Sequence, residues 1–544
     1  MLNAIWTSSS YVLGILAVPL AVIVVSCIYV ELRRPRNLPP YPGARPLPFL
    51  GHKLKVPTSR SWLWFKKMND EYGDIITVYD SNVPRIVIGH PQVAIDLLER
   101  RSHKYSSRPR FVAAGELLLG GKGMVHAPYG DAWRAQRKVF HMAMMPKATD
   151  SYLHIMEMEG KQLALHLVRD GAKDWYEEIY RYTASLIVCI SYGRRITDTR
   201  TDKAYQKLNQ SLSFFIRVKV PGAQWFEIFP FLAKLPSFLV PLKRDALKYR
   251  EMGRENAREL VEEVKRKVKA GNAPESFCRE LLEIRNELGW EELGLDDIDF
   301  NGMPASLFGA GIDTTSSILQ SLVLVMVSFP EVQKKVHEEM DRVVGDGRSP
   351  NYNDKDDLVY TEAVIKETMR WRPVAVLGGT PHASTEDDWY EHKGKTYFIP
   401  AGSIVQGNMW SIHQNKEVYP DPEKFDPERF LHGQEYPSTN NRGHSSFGWG
   451  RRVCPGQHFA ERSLFLTGSR LLWGFNYSPY INPETKEPEY PDTSMETGYK
   501  PTFNTRPYQF KCVIEPRTEK IKQTILQEAA EAKEGLKVYE ENRE

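Results

Sequence analysis

The sequence predicts a mainly α-helical body with small β-sheets, preceded by one N-terminal transmembrane helix. Three observations predict it. Residues 131–345 keep a helical periodicity of apolar side chains, broken by proline and glycine at Pro221-Gly222, Pro230 and Pro236. The β-branched runs Ile75-Ile76-Thr77-Val78, Arg85-Ile86-Val87-Ile88-Gly89, Thr396-Tyr397-Phe398-Ile399-Pro400 and Tyr508-Gln509-Phe510-Lys511-Cys512-Val513-Ile514 are short, which suits small sheets. Residues 11–30 form an uncharged, mostly apolar run long enough to cross a bilayer, and no later run rivals it.

Residues 1–10 carry no Lys or Arg, whereas Arg33, Arg34 and Arg36 follow the apolar run at once. The positive-inside rule then leaves the N-terminus outside and the rest in the cytosol, the pattern of a single-pass signal anchor. A cleaved signal peptide is the alternative; the missing basic segment and the length of the run weigh against it. Pro19 can kink the helix without preventing insertion. Residues 31–52 are proline-rich, so they form a stiff, extended tether, or else a proline-rich ligand for another domain. A catalytic domain over 53–517 follows, starting with the helical face Trp62-Leu63-Trp64-Phe65. The tail, 518–544, is rich in Glu, Lys and Ala and reads as a solvated helix or a disordered extension without chemistry.

The 544 residues allow a large core, and the formal net charge of +3 is too small to argue for nucleic acid. Five scattered cysteines, Cys27, Cys189, Cys278, Cys454 and Cys512, offer no disulfide framework and no zinc spacing, which fits a reduced cytosolic body. There is no internal repeat and no Gly-x-Gly-x-x-Gly fingerprint, so the chain is not expected to bind its own nicotinamide or flavin.

The most informative residue is Cys454, in Phe447-Gly448-Trp449-Gly450-Arg451-Arg452-Val453-Cys454-Pro455-Gly456. Backbone N–H groups and positive charge converging on a cysteine are expected to hold it as thiolate. A lone thiolate suits a haem iron better than zinc. The bland alternative is a free cysteine that is buried or in a surface loop. The pattern Phe-x-x-Gly-x-Arg-x-Cys-x-Gly resembles the haem-binding signature of the cytochrome P-450 family. That resemblance runs from the anchor to about Arg517 and implies the cytochrome P-450 fold, with haem b bound through Cys454 and with Phe447 and Arg452 beside it.

The segment Ala310-Gly311-Ile312-Asp313-Thr314-Thr315-Ser316 lies in a long helical stretch. Gly309 and Gly311 each cost roughly 1 kcal/mol relative to Ala, and the hydroxyls can bond back to the preceding turn, predicting a groove or local opening. Alone it could be only a kinked core helix. It resembles the family's distal-face motif, which implies that Thr314 hydrogen-bonds the oxygen held over the haem, or an ordered water, and that Asp313 helps relay protons.

Glu367 and Arg370 share a helix face, a spacing that by itself fits a surface bridge worth under about 0.5 kcal/mol. With Phe425-Asp426-Pro427-Glu428-Arg429-Phe430 the pair resembles the family's network, which implies that Glu367, Arg370 and Arg429 hold the cysteine loop. Trp133 and Arg137 also share a helical face. Surface decoration is the alternative, while the resemblance implies haem-propionate contacts shared with Arg452 and His382. His382 stands where many relatives carry Arg, and a neutral imidazole donates only one hydrogen bond.

The resemblance places substrate specificity in residues 107–125 and 214–229, Phe308 and its neighbours, 374–379 and 499–503, which are aromatic and aliphatic and suit a hydrophobic small molecule. The Phe214-Phe215-Ile216 and Trp225-Phe226-Glu227-Ile228-Phe229 clusters can serve as pocket, core or membrane entry. Arg134, Arg137, Lys138, Arg451 and Arg452 form either a docking face for NADPH-cytochrome P-450 reductase, with cytochrome b5 as a second partner, or a solvated charged face.

The implied activity is a monooxygenase that puts one atom of O2 into an apolar substrate. The runs 380–388 and 407–410 look like fungal members of the O-methylsterigmatocystin oxidoreductase group, which implies secondary-metabolite biosynthesis. Oxidation of xenobiotic or aromatic compounds, reductase-independent isomerase or peroxygenase chemistry, and a non-catalytic haem sensor or carrier are the rivals.

Overall fold

A computed structural model describes residues 21, 24–29, 31–43, 45–169, 171–219, 225–431, 436 and 442–540. Among them are twelve helices of twelve residues or more: α1 (Ser61–Tyr72), α2 (Asp131–Met142), α3 (Leu153–Arg169), α4 (Trp175–Tyr192), α5 (Lys203–Val218), α6 (Pro241–Ala270), α7 (Phe277–Leu288), α8 (Asp297–Ser328), α9 (Pro330–Val343), α10 (Val359–Trp371), α11 (Gln457–Gly474) and α12 (Glu519–Leu536). Most of the run expected to cross a bilayer lies outside the described residues. Its described part, residues 21 and 24–29, is helical, with Val24, Val25, Ile28 and Tyr29 exposed.

Helix α8 is the centre of the core and packs against α4, α6 and α11. A capping box, Asp296 with Asp299, starts it, and Pro330 at the first position of α9 prevents it from continuing. Its C-terminal half is almost wholly buried from Ile318 to Val327, and apolar there except for Gln320 and Ser321. By length and composition it could cross a membrane, so it does rival the 11–30 run; its burial inside the protein marks it as a core helix.

Three small sheets frame the helices. In the first, β1 (Ile75–Asp80) pairs antiparallel with β2 (Val83–Ile88), β2 parallel with β6 (Ile404–Gly407), and β6 antiparallel with β3 (His382–Ala383). The parallel pairing joins the N-terminal hairpin to a strand more than three hundred residues away. The second is the hairpin β4 (Asp388–His392) and β5 (Lys395–Ile399); the third has the order β8 (Pro488–Glu489), β7 (Phe475–Ile481), β9 (Cys512–Pro516). The strand expected from Tyr508 starts only at Cys512, where the β7 ladder ends at Pro479, a residue with no N–H to continue it.

The C-terminal tail corrects the sequence expectation. Helix α12 is not a solvated extension: Ile521, Ile525, Ala529, Ala532 and Leu536 form a buried stripe against the body, where α12 packs on α3. Gln162 of α3 donates to the Ala529 carbonyl at 2.6 Å, and the Ser349 N–H donates to Glu528 at 2.8 Å. The folded body thus continues past residue 517 to the end of the described chain.

Candidate active site

The Cys454 loop is built by glycine. Gly448 and Gly450 take φ of +79° and +56°, and a Cβ on Gly450 would lie 2.2 Å from the Leu98 carbonyl oxygen. The turn closes by Gly448 N–H to Ser445 O at 2.8 Å and Cys454 N–H to Phe447 O at 2.8 Å. Phe447 and Cys454 are half-buried, and α11 begins three residues beyond the cysteine. Burial pushes the Cys454 thiol up, and the Gly456 N–H and the Arg137 charge only partly pull it back. Coordination to a cation would favour the thiolate against that burial.

Glu367, Arg370 and Arg429 meet as the motifs predicted, but inside the protein. Arg370 donates twice to Glu367, at 2.6 and 2.8 Å, both side chains being fully buried, and the Arg429 guanidinium lies 3.5 Å from the same carboxylate. The link to the cysteine loop is a residue the motifs did not point to. His413 carries its proton on Nδ1, facing the Arg370 carbonyl at 3.1 Å, and its Nε2 accepts the Ser445 N–H at 3.0 Å. Burial holds His413 neutral. Ser446 Oγ adds a bond to the Met369 carbonyl at 3.1 Å, so α10 grips two consecutive loop residues.

Trp133 and Arg137 of α2 do converge on this loop. Arg137 donates to the Val453 carbonyl at 2.8 Å, and the Arg452 guanidinium stacks 4.2 Å above the Trp133 ring. The buried Trp133 Nε1 has no hydrogen-bond partner. Arg452 is bound to the carbonyls of Ser106, Met124 and Ala127, and burial with the Arg137 charge pushes it down to about 9. Sequence motifs missed Arg108, which donates to the carbonyls of Thr380 and Pro381 at 2.6 and 2.9 Å and is close enough to Arg452 and His382 to act on both electrostatically.

His382 is buried and neutral, its Nδ1 placed 2.7 Å from the Tyr105 carbonyl. A carbonyl accepts, so Nδ1 carries the proton and Nε2 is left as an acceptor. That corrects the expectation of a hydrogen bond donated from His382 to a propionate; Arg108 is the donor available at that position.

On α8 the predicted groove exists without a break in the helix. Gly302, Ser306 and Ala310 are exposed and Thr314 is half-buried, a stripe at four-residue spacing along an otherwise buried helix. Thr314 Oγ1 donates back to the Ala310 carbonyl at 2.8 Å. Gly311 admits α4, because a Cβ there would meet Ile187 at 2.5 Å. Asp313 points elsewhere: buried, it accepts from the Tyr180 hydroxyl at 3.2 Å and lies 3.5 Å from the Arg506 guanidinium.

Among the specificity segments, Phe214 and Phe226 are core, Phe214 stacking on Tyr249 at 4.2 Å. Phe308 and Tyr499 are also buried core. Phe215 and Phe503 turn inward toward Lys219. Exposed apolar side chains sit just beyond the predicted cluster, at Phe231, Phe238 and Leu239. Of the five expected docking cations, Arg134, Lys138 and Arg451 are exposed, while Arg137 and Arg452 are drawn into the loop.

The family model described as Cytochrome P-450 matches residues 39–509, and the chain belongs to the cytochrome P-450 family. Cytochrome P-450 monooxygenase 58 of Postia placenta is 32% identical over 88% of this chain and 89% of its own length. A cytochrome P-450 monooxygenase of Armillaria gallica is 34% identical over 93% and 96%, and fogE of Aspergillus ruber 33% over 90% and 88%. A solved zebrafish cytochrome P-450 with abiraterone shares the fold, with a TM-score of 0.66 and 23% identity over 84% of this chain and all of that one.

The protein is thus an oxidoreductase of the monooxygenase type, and its family carries haem with a cysteine thiolate on the iron. The residues fit such a group. From a half-buried cysteine runs a chain of three inward-turned guanidinium groups, Arg137 beside Cys454, then Arg452, then Arg108, none of them paired with a carboxylate among the described residues, and Arg452 stacks on Trp133, whose Nε1 is unpartnered. That donor set asks for buried anionic acceptors, as haem propionates are.

Proposed function

We propose that the chain is a membrane-anchored monooxygenase of fungal secondary metabolism that oxidises an apolar small molecule with electrons from NADPH-cytochrome P-450 reductase, cytochrome b5 being a second donor. The observation that carries this reading is the cationic cradle around Cys454, clamped to α10 through His413. Cys454 would bind the iron in this proposal, Trp133, Arg137, Arg452 and Arg108 would hold the propionates, and Phe447 would flank the cysteine. Haem bound there supplies reductive activation of O2, one atom going to substrate and one to water.

The chain's residues then divide the remaining work. Thr314, on the open stripe of α8, holds a hydrogen bond to the oxygen side of the pocket, and Asp313 passes protons from the Tyr180 and Arg506 side. Glu367, Arg370 and Arg429 keep the loop in register. Arg134, Lys138 and Arg451 give the acidic reductase a steering face.

Two apolar exposures support a membrane setting on the endoplasmic reticulum with the body in the cytosol. Leu47 and Phe49 lie at the end of the tether and Leu54 just beyond it, and Phe231, Phe238 and Leu239 follow α5. Lys53 acts electrostatically on Glu227, which draws the two segments to one side of the molecule. Kinship with fungal monooxygenases supports the metabolic setting.

The test is the reduced carbon-monoxide spectrum with reductase-coupled turnover. The wild type is expected to show the red-shifted Soret band and Cys454→Ala to lose it. Metabolite comparison by mass spectrometry with and without the chain is expected to show an oxygenated product that needs the reductase. Product formation without reductase would favour an isomerase or peroxygenase, and haem binding with no NADPH consumption on any extract would favour a sensor.

A further inference from the structure

Lys219 follows directly on the last residue of α5, and its side chain runs inward instead of out to solvent. Its ammonium donates to Thr380 Oγ1 at 3.0 Å and lies 3.9 Å from the centre of the Phe503 ring and 5.0 Å from that of Phe215. Phe215 and Phe503 belong to two of the segments to which substrate specificity was assigned, and Thr380 directly follows a third, 374–379. The ammonium has three protons and one oxygen partner, and Arg108 is a like charge close by. Among the described residues no carboxylate acts on Lys219. Burial and the Arg108 charge push it down to about 7, the mark of a cation held without its counter-ion.

A second, independent feature adjoins it. His126 is 6% exposed, and both its ring nitrogens lack a hydrogen-bond partner. Its ring is wedged between Phe111 at 4.8 Å and Phe215 at 5.7 Å. Lys219 and Arg108 are near enough to help burial keep it neutral. A neutral imidazole has one N–H to give, and an orphaned buried donor beside an unpaired ammonium is costly unless an acceptor arrives. The walls are aromatic, so the arriving molecule is apolar apart from that one group.

We propose that Lys219 and His126 form an anion anchor in the substrate pocket, so that the molecule oxidised is an apolar monocarboxylate held by the Lys219 ammonium and a His126 ring N–H. The assignment rests on the monooxygenase reading and narrows its substrate class. Phe215, Phe503 and Phe111 pack the adjoining carbon skeleton, and Thr380 fixes the ammonium between them. Charged and titratable groups facing Lys219 are Arg108 and His126, neither of which supplies a negative charge, so affinity for the anion falls as the ammonium deprotonates above neutral pH.

The experiment uses full-length ferric holoenzyme titrated with three matched acid and methyl-ester pairs: decanoic acid, phenylbutyric acid and naphthylacetic acid, each with its ester. Binding is followed by the shift of the Soret band at a pH of about 6, where both the acids and Lys219 are charged. At least one acid is expected to bind about tenfold or more tighter than its ester. K219R keeps that preference, K219M abolishes it while leaving the ester's Kd in place, and H126F weakens it in part. Raising the pH to about 9 weakens the acid alone.

Equal or tighter ester binding in every pair overturns the anchor, as does a preference that survives K219M. Loss of haem from K219M also overturns it, by assigning Lys219 to a propionate. An enzyme that prefers the acid yet consumes no NADPH with reductase keeps the anchor and loses the monooxygenase reading, so the two fail separately.

Discussion

Glu367 meets Arg370 two-to-two, Nε on Oε2 at 2.6 Å and Nη2 on Oε1 at 2.8 Å, with neither side chain reaching water. Arg370 also donates to the carbonyls of His413 and Pro422, both at 2.9 Å, and the Asp426 N–H donates to Glu367 at 3.0 Å. Every edge of the pair is thus used to hold main chain from two other segments. Bidentate geometry fixes direction as well as distance, which Lys could not reproduce.

Glu367→Ala is expected to cost about 3–5 kcal/mol, because it strands a fully buried guanidinium without its anion. Arg370→Lys keeps the charge but loses the fork and is expected to fail as well. Urea unfolding of the full chain, with haem content measured on the same samples, checks both. A Glu367→Ala protein with wild-type stability and haem content would show that the pair does not hold the loop.

The glycines around Cys454 make a graded series. Gly450→Ala places a methyl group 2.2 Å from a backbone oxygen at Leu98 with φ at +56°, so the loop must move and haem retention is expected to collapse. Gly448→Ala has the same sign of φ but open space, leaving only a backbone cost of about 1–2 kcal/mol. Gly456→Ala has neither problem and is expected to behave as wild type. Haem per polypeptide for the three variants should fall in the order Gly456→Ala, Gly448→Ala, Gly450→Ala.

Ile525 lies in the middle of the buried stripe of α12 and packs near Gly474 of α11, where an added Cβ would come within 3.3 Å of its side chain. Ile525→Ala is expected to lower stability by about 2–4 kcal/mol, the range for emptying a packed core site. A solvated tail would show no change, so a thermal melt of the variant against wild type separates the two cases.

What the sequence made legible was whatever identity or period could carry. The strands Ile75–Asp80 and Val83–Ile88 announced themselves by β-branching, and the Cys454 loop by five fixed positions. Spacing put Glu367 and Arg370 on one face but could not tell a surface pair from a buried one, since burial belongs to what packs on that face. Lys219, Thr380 and the pair Arg108 and His126 meet only because three distant segments converge, which no local pattern encodes. The apolar stripe of α12 was present at helical spacing, yet its charged composition outweighed it. His382 shows the finest limit: which of its nitrogens holds the proton depends on the Tyr105 carbonyl, which no sequence pattern places beside it.

Asp80, at the end of β1, gives a pH signature of the N-terminal hairpin. Its carboxylate accepts from Arg85 at 2.7 Å and lies 3.0 Å from the Lys53 ammonium. Burial alone would raise its pKa, but Arg85 and Lys53 outweigh burial and hold it at about 2, against 3.8 for the free side chain. A group depressed on folding stabilises the native state above its unfolded pKa, and that contribution disappears as pH falls through the folded value. The window is therefore about pH 4 down to about 2, and the size is on the order of 2 kcal/mol at most, reduced by the water that still reaches the pair. Asp80→Asn is expected to be less stable than wild type at about pH 7, with the gap narrowing once the pH drops below about 4. Urea midpoints of both proteins measured down that range check it: a gap that stays constant into acid would mean that the ion pair with Arg85 and Lys53 is not what ties the hairpin down.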